Sequence, residues 1–206
     1  MEIRIYVEGD TQKTNKNSSI SLREGFHNFF TELIDKARER EIKFRIITCG
    51  SKFHTFKDFL AGVAVHTDSF VSFLIDSDEE IGENESVKAF LQRQNATWHL
   101  SSVNDEQCHL MVWIMESWFL ADREVLSAYY GQGFNAAALA QNPKIEKISK
   151  TDVIGGLEKA TRNTSKGIYH KIRHGSELLA RIDSRKVREA SSHCEKLFLT
   201  ISDVID

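Results

Sequence analysis

Ser69-Phe70-Val71-Ser72-Phe73-Leu74-Ile75-Asp76-Ser77-Asp78 is an apolar run, rich in β-branched and aromatic residues, that stops abruptly at a pair of carboxylates. It is too short for a buried helix and has the side chains that suit a pleated surface. A strand apolar on both faces belongs in a parallel sheet covered by helices on both sides. Residues two apart in extended chain project to one side, so Asp76 and Asp78 point together while Ser77 turns away.

Outward from this run the same grammar repeats. Ile3-Arg4-Ile5-Tyr6-Val7 is a first strand and runs into Glu8-Gly9-Asp10 and a polar loop through Ser19. From Ser21, apolar residues at helical spacing (Leu22, Phe26, Phe29, Phe30, Leu33, Ile34, Ala37) predict one helix of about five turns, opened by a capping box of Ser21 and Glu24. Phe44 to Cys49 is a second strand, Phe53 to Val63 a second helix and Glu85 to Gln94 another, with a short strand expected near Thr97–Leu100. His109 to Met115 is a further buried strand closed by Glu116, and Ser117 to Tyr130 turns helical. Thr151 to Asp206 predicts two or three helices without strands, and Gly131-Gln132-Gly133 and Gly155-Gly156 read as turns. Strands alternating with helices predict an α/β fold, Rossmann-like, with a mostly parallel sheet and helices on both faces. The expected organisation is a core over residues 1–140 and a helical extension over 141–206 packed on it as one structural unit.

Composition agrees with one folded domain. The chain has 206 residues, is 41% hydrophobic and 28% charged, and contains a single proline, which excludes disordered and collagenous classes. No apolar run reaches the roughly 18 residues that a membrane span needs, and the amino terminus shows no signal-peptide core, so the expectation is a cytoplasmic protein without membrane contact. Cys49, Cys108 and Cys194 are odd in number and widely spaced, offering neither a disulfide framework nor a CxxC site. His99, Cys108 and His109 match no common zinc spacing. The net charge of -3 hides an asymmetry: residues 1–140 hold 14 Lys/Arg against 21 Asp/Glu, whereas residues 141–206 hold 13 against 9. The basic tail either faces a polyanion or is ordinary surface variation.

The acids carry the functional argument. In an open α/β sheet the reactive crevice lies beyond the carboxyl ends of the strands. Glu8 follows the first strand, Asp76 and Asp78 the third and Glu116 the fourth, so one edge collects four carboxylates. Each alone reads more readily as a solvated loop acid, but together they need a cation, and a hard divalent ion, Mg²⁺ or Mn²⁺, suits oxygen ligands. Asp122, six positions past Glu116, ranks below them. Lys166, Lys171, Arg173 and His174 are the candidate phosphate-binding residues, with Lys171 and His174 three apart on one helical face.

Val7-Glu8-Gly9 after a first strand and Asp76-Ser77-Asp78 after a later one resemble the Toprim signature of topoisomerases, bacterial primases and OLD-type nucleases, in which a Glu and a DxD motif bind Mg²⁺. The chain is most similar to small stand-alone Toprim-like proteins related to the RloB group, which accompany AAA- or ABC-type ATPases in bacterial defence loci. Segments like Met115-Glu116-Ser117-Trp118-Phe119-Leu120-Ala121-Asp122 and Ser165-Lys166-Gly167-Ile168-Tyr169-His170-Lys171 are typical of that group, and the likeness spans most of the chain. One departure is Thr11-Gln12, where the family commonly has Thr-Glu; that acid's role is lost or moved to Asp10.

The resemblance implies Glu8, Asp76 and Asp78 as metal ligands, Glu8 alternatively as general acid or base, and Glu116 as a further ligand or an orienting group. The reaction expected is metal-dependent hydrolysis of DNA or RNA phosphodiesters, by an effector subunit controlled by an ATPase, possible as a homo-oligomer. The alternatives are a non-catalytic Toprim-fold subunit that binds an ATPase partner or nucleic acid, and a small-molecule phosphotransferase with Asp76 as nucleophile.

Overall fold

The computed structural model describes residues 1–9 and 21–206. Strands β1 (Glu2–Val7), β2 (Lys43–Thr48), β3 (Ser69–Asp76) and β4 (Cys108–Met111) form one sheet in the order β2-β1-β3-β4, every pairing parallel. Val7 lies opposite both Thr48 and Leu74, and Asp76 opposite Met111, so the strands end at nearly one level. Helices cover both faces, as the sequence predicts. On one side α3 (Lys52–Val65) and α4 (Val87–Gln94) pack on Tyr6, Val71, Phe73, Ile75 and Leu110. On the other, α1 (Leu22–Phe29), α2 (Thr31–Glu39), α5 (Arg123–Tyr130), α6 (Lys150–Thr161), α7 (Lys171–Leu179), α8 (Ser184–Ala190) and α9 (Ser192–Ile205) share a core with Ile3, Ile5, Val7 and Leu74. The carboxy-terminal helices thus belong to the same core as the strands. Among the described residues, no helix is long and apolar enough to cross a membrane.

The capping box forms: Ser21 Oγ accepts from the Glu24 amide at 3.2 Å, and the Ser21 amide donates to Glu24 Oε2 at 2.6 Å. The five-turn helix it opens is, however, divided at Phe30. There the Thr31 hydroxyl donates to the Asn28 carbonyl at 2.8 Å, a side-chain bond that competes with the helical ladder and bends it. The last strand is shorter than expected, ending at Met111, because Trp113 takes a left-handed φ of 63° that no strand accommodates. Its sequel, Met115–Ala121, is a 3₁₀ turn preceding α5. Thr97–Leu100 is not a strand; Trp98 and Leu100 are buried from a loop, with Trp98 stacked on Phe56 at 3.9 Å. Gly155 and Gly156 lie inside α6 rather than in a turn. A Cβ on Gly156 would come within 3.3 Å of the Ala138 carbonyl oxygen, so glycine there serves close packing. The carboxy-terminal region holds four helices, since Ser191 stops α8 and caps α9 by accepting from the Cys194 amide.

Cys49, Cys108 and Cys194 are all buried free thiols. His109 is buried with its Nε2 2.9 Å from the Glu106 carbonyl, and burial pushes its pKa down to about 3, so it is a neutral core residue.

Candidate functional site

The equal strand ends convert sequence order into proximity. Glu8 is the residue after β1 and Asp76 the last of β3; the Asp76 amide donates to Glu8 Oε2 at 3.2 Å, and the Glu8 amide donates to the Leu74 carbonyl at 3.0 Å. Asp76 is 6% exposed, and its Oδ1 accepts from the Met115 amide at 2.8 Å. That bond fixes the start of the 3₁₀ turn and thereby delivers Glu116, 1% exposed, to the same edge. Glu8, Asp76 and Glu116 come together.

One ammonium sits among them. Lys171, the first residue of α7, places Nζ 3.4 Å from Asp76 Oδ2 and 3.6 Å from Glu116 Oε2. Glu116 Oε1 accepts from the Tyr169 hydroxyl at 2.9 Å, whereas its Oε2 is buried without a hydrogen-bond partner. Asp76 and Glu116 share this one ammonium, and Glu8 adds a third acid beside Asp76. Burial, reinforced by the charges of Glu116 and Glu8, pushes the Asp76 carboxyl up to about 7 although Lys171 opposes it. Burial likewise raises Glu8, against Lys52. Burial would lower Lys171, but Asp76 and Glu116 outweigh it and hold the ammonium above its ordinary range. Burial, with Glu116 beside it, holds the Tyr169 phenol well above its usual range.

Asp78 is on the same loop but differently engaged. Lys52 Nζ lies 2.7 Å from its Oδ2 and Lys150 Nζ 2.7 Å from its Oδ1. Burial pushes this carboxyl up, yet the bonds from Lys150 and Lys52 prevail and hold it below its ordinary range. Lys52 and Lys150 are the first residues of α3 and α6, whose amino termini are capped by Ser51 and Ser149, so two helix starts each send a lysine to Asp78. Asp78 has φ 61°, and its amide donates to the carbonyl of Trp113, itself left-handed, at 2.8 Å. Ser77 Oγ accepts from the Trp113 amide at 2.7 Å and locks the two turns together. Two non-glycine residues in this region cost on the order of 1–3 kcal/mol each, a strain that surrounding structure sustains at the edge where the acids gather.

The basic candidates separate. Lys171 turns to the acids. His174, one turn along α7, is buried, with Nδ1 3.0 Å from the Tyr130 hydroxyl and 3.2 Å from the His170 amide, so the two do not reach a common point. Lys166 lies over the Tyr129 ring at 4.5 Å. Arg173 leaves α7 on a different face from the buried His174 and Gly175. Asp122 serves the scaffold: it accepts from the Asp183 amide at 3.0 Å and pairs with Lys186 at 2.8 Å. Asp10 and Gln12 lie outside the described residues.

The donors are hard oxygens, appropriate to Mg²⁺ or Mn²⁺, and Glu116 Oε2 is buried and accepts no hydrogen bond, with the Lys171 ammonium 3.6 Å away. Among the described residues, no three His, Cys, Asp or Glu side chains already close on one point, and the Lys171 ammonium stands where Asp76 and Glu116 converge. The donor chemistry therefore fits a divalent ion, provided that Lys171 gives way.

Sequence reasoning missed Tyr169, Lys52 and Lys150 as site residues. Tyr169 lies inside the quoted Ser165–Lys171 segment, a signal that was available. Lys52 and Lys150 each follow a serine cap, so both are recognisable as helix starts, but nothing in their spacing joins them to Asp78.

Searches of curated proteins and of solved structures give no match. The family model described as "Domain of unknown function (DUF4276)" matches residues 7–202, a span that includes every acid and base of the site, and the chain belongs to that family.

Proposed function

We propose that the protein is a divalent-metal-dependent, Toprim-like nuclease that cleaves phosphodiester bonds of DNA or RNA at the carboxyl edge of the sheet. The carrying observation is that the buried Asp76 and Glu116 carboxylates share the one Lys171 ammonium, while Glu116 Oε2 accepts no hydrogen bond. Two buried carboxylates that share one ammonium still repel each other, and a divalent cation relieves that repulsion. Glu8, Asp76 and Glu116 would hold the ion, which when bound supplies phosphoryl polarisation and a water of lowered pKa.

The chain's own residues supply the rest. Tyr169 fixes the orientation of Glu116, and the Met115 amide fixes that of Asp76. Lys52 and Lys150, at two helix amino termini, provide positive charge for a substrate phosphate beside the acids. Lys171, displaced from Asp76, becomes a further phosphate contact. Such an enzyme acts in the cytoplasm, as the effector subunit of an ATPase-associated bacterial defence or repair system. The position of Lys171 favours a second reading, a subunit that keeps the fold and binds an ATPase or nucleic acid without cutting, because its ammonium already stands between two of the acids.

The test is a Mg²⁺ and Mn²⁺ titration of wild type and of Glu8→Ala, Asp76→Ala and Glu116→Ala, following thermal stability and cleavage of labelled single- and double-stranded DNA and RNA. The nuclease reading requires metal-dependent cleavage by wild type that drops at least 100-fold in each folded variant. Undiminished cleavage in the three variants would sink it, and nucleic-acid binding without cleavage would establish the second reading.

A further inference from the structure

The outer edge of β2 carries a groove of about 510 Å³, separate from the acidic site. Its floor is five successive residues, Phe44 to Thr48, and its walls are Arg4 of β1 and Arg23, Glu24 and His27 of α1. β2 ends the sheet order β2-β1-β3-β4. The amides of Lys43 and Cys49 donate to the Met1 and Val7 carbonyls of the β1 side, which fixes the parity of the strand. Odd-numbered residues face β1, and Phe44, Ile46 and Thr48 turn their N–H and C=O groups outward. No backbone hydrogen bond among the described residues reaches those outward groups. Five residues span about 17 Å at roughly 3.3 Å each, enough for a short added strand.

The walls define what fits. Arg23, His27 and Arg45 are exposed, and Arg4 keeps a buried Nε without a partner. The acids here are already engaged: Glu24, which lines the groove, in the capping box of Ser21, and Glu2 by both Arg4 and Arg45. Three arginines against two carboxylates, with Arg4 and Arg45 sharing Glu2, leave one positive charge in excess at the groove. A second copy of β2 would bring Arg23 and Arg45 against their own equivalents, so charge opposes edge-to-edge self-pairing. A nucleic-acid strand has no regular row of N–H donors for the outward carbonyls.

We propose that this edge is the docking site for an extended acidic segment of a partner protein, which adds to the sheet as a fifth strand. Backbone bonds to Phe44, Ile46 and Thr48 give affinity, and Arg23, Arg45 and Arg4 select acidic side chains. The probe is a fluorescein-labelled peptide of alternating glutamate and valine, with three controls: its glutamine-for-glutamate form, its backbone N-methylated form and a short single-stranded oligonucleotide. Binding to the full chain is followed by anisotropy, and amide hydrogen exchange by NMR. The expected result is saturable peptide binding that weakens at least tenfold in Arg23→Glu/Arg45→Glu and with either modified peptide. The Phe44, Ile46 and Thr48 amides gain protection on binding, while those of Arg45 and Ile47 are protected throughout. Thr48→Pro, which removes one outward N–H and no bond to β1, weakens binding without loss of fold. No saturable binding, binding indifferent to N-methylation, or protection produced by the oligonucleotide instead would each overturn the proposal.

Discussion

Tyr169 donates its hydroxyl to Glu116 at 2.9 Å, and both groups are buried beneath Lys171. This is the sole hydrogen bond that the Glu116 carboxylate makes among the described residues, since its other oxygen has none. Tyr169→Phe leaves the ring packing intact and removes the carboxylate's hydrogen bond, with the Lys171 ion pair remaining. Unfolding by denaturant should show a loss of roughly 1–3 kcal/mol. Under the nuclease reading the same variant should lower cleavage more than it lowers substrate affinity, because a misoriented Glu116 affects the metal and not the phosphate contacts. Unchanged stability would mean that Glu116 is satisfied by water and that the hydroxyl is incidental.

Asp76 gives a pH signature with a definite sign. Its pKa is about 7 in the folded protein against 3.8 in the unfolded chain, so the folded state holds the proton more tightly. The stability this contributes is present in full below pH ~4 and is lost as pH rises through ~7. Asp76→Asn should therefore match wild type near pH 4 and exceed it at pH 8 by about 2–4 kcal/mol, the lower end if Lys171 misses its partner. In saturating Mg²⁺ the pH 8 gap should narrow for a metal-binding site, as the ion favours the ionised wild-type carboxylate. A variant less stable than wild type at pH 8 would contradict the assignment.

How far the sequence reaches is clearest at these two residues. The parallel sheet was legible because apolar runs such as Val71 to Ile75 are unmistakable, and Glu8, Asp76 and Glu116 were legible because strand ends place residues at one edge whatever the loops do. Asp78 was not. Its partner lysines come from α3 and α6, and its direction depends on the left-handed turns at Asp78 and Trp113, which no periodicity encodes. His174 misled for a related reason: spacing along α7 puts it one turn from Lys171, but the Tyr129, Tyr130 and Tyr169 rings packed around it make it a core residue.

Lys52 and Lys150 hold Asp78 in partly exposed ion pairs, which are worth little to stability. Lys52→Ala and Lys150→Ala should each alter unfolding free energy by less than about 1 kcal/mol. If they serve substrate phosphates, each should weaken nucleic-acid binding at low salt and reduce the slope of log affinity against log salt by about one. Anisotropy titrations of a labelled oligonucleotide at several salt concentrations distinguish this from a scaffold role, in which the slope stays constant.

Glu146 supplies an independent check on the carboxy-terminal helices. Its carboxylate accepts from Ser191 Oγ at 2.6 Å, the His193 amide at 2.9 Å and Ser192 Oγ at 3.1 Å, so it satisfies the start of α9 from outside that helix. Burial would raise its pKa, but the His193 imidazole, with Nδ1 3.1 Å from Oε1, followed by the Ser191 hydroxyl and the His193 amide, brings it down to about 2. A depressed carboxyl stabilises the fold above its unfolded value of 4.5, and that contribution fades as pH falls toward 2. Glu146→Gln should lose on the order of 2–3 kcal/mol at pH 7, and the difference from wild type should shrink to nothing near pH 2. Because α9 packs into the core shared with β1, the loss should appear in the single global transition seen by calorimetry and not as separate fraying of the last helices. A distinct low-temperature transition in the variant would show instead that residues 141–206 unfold by themselves.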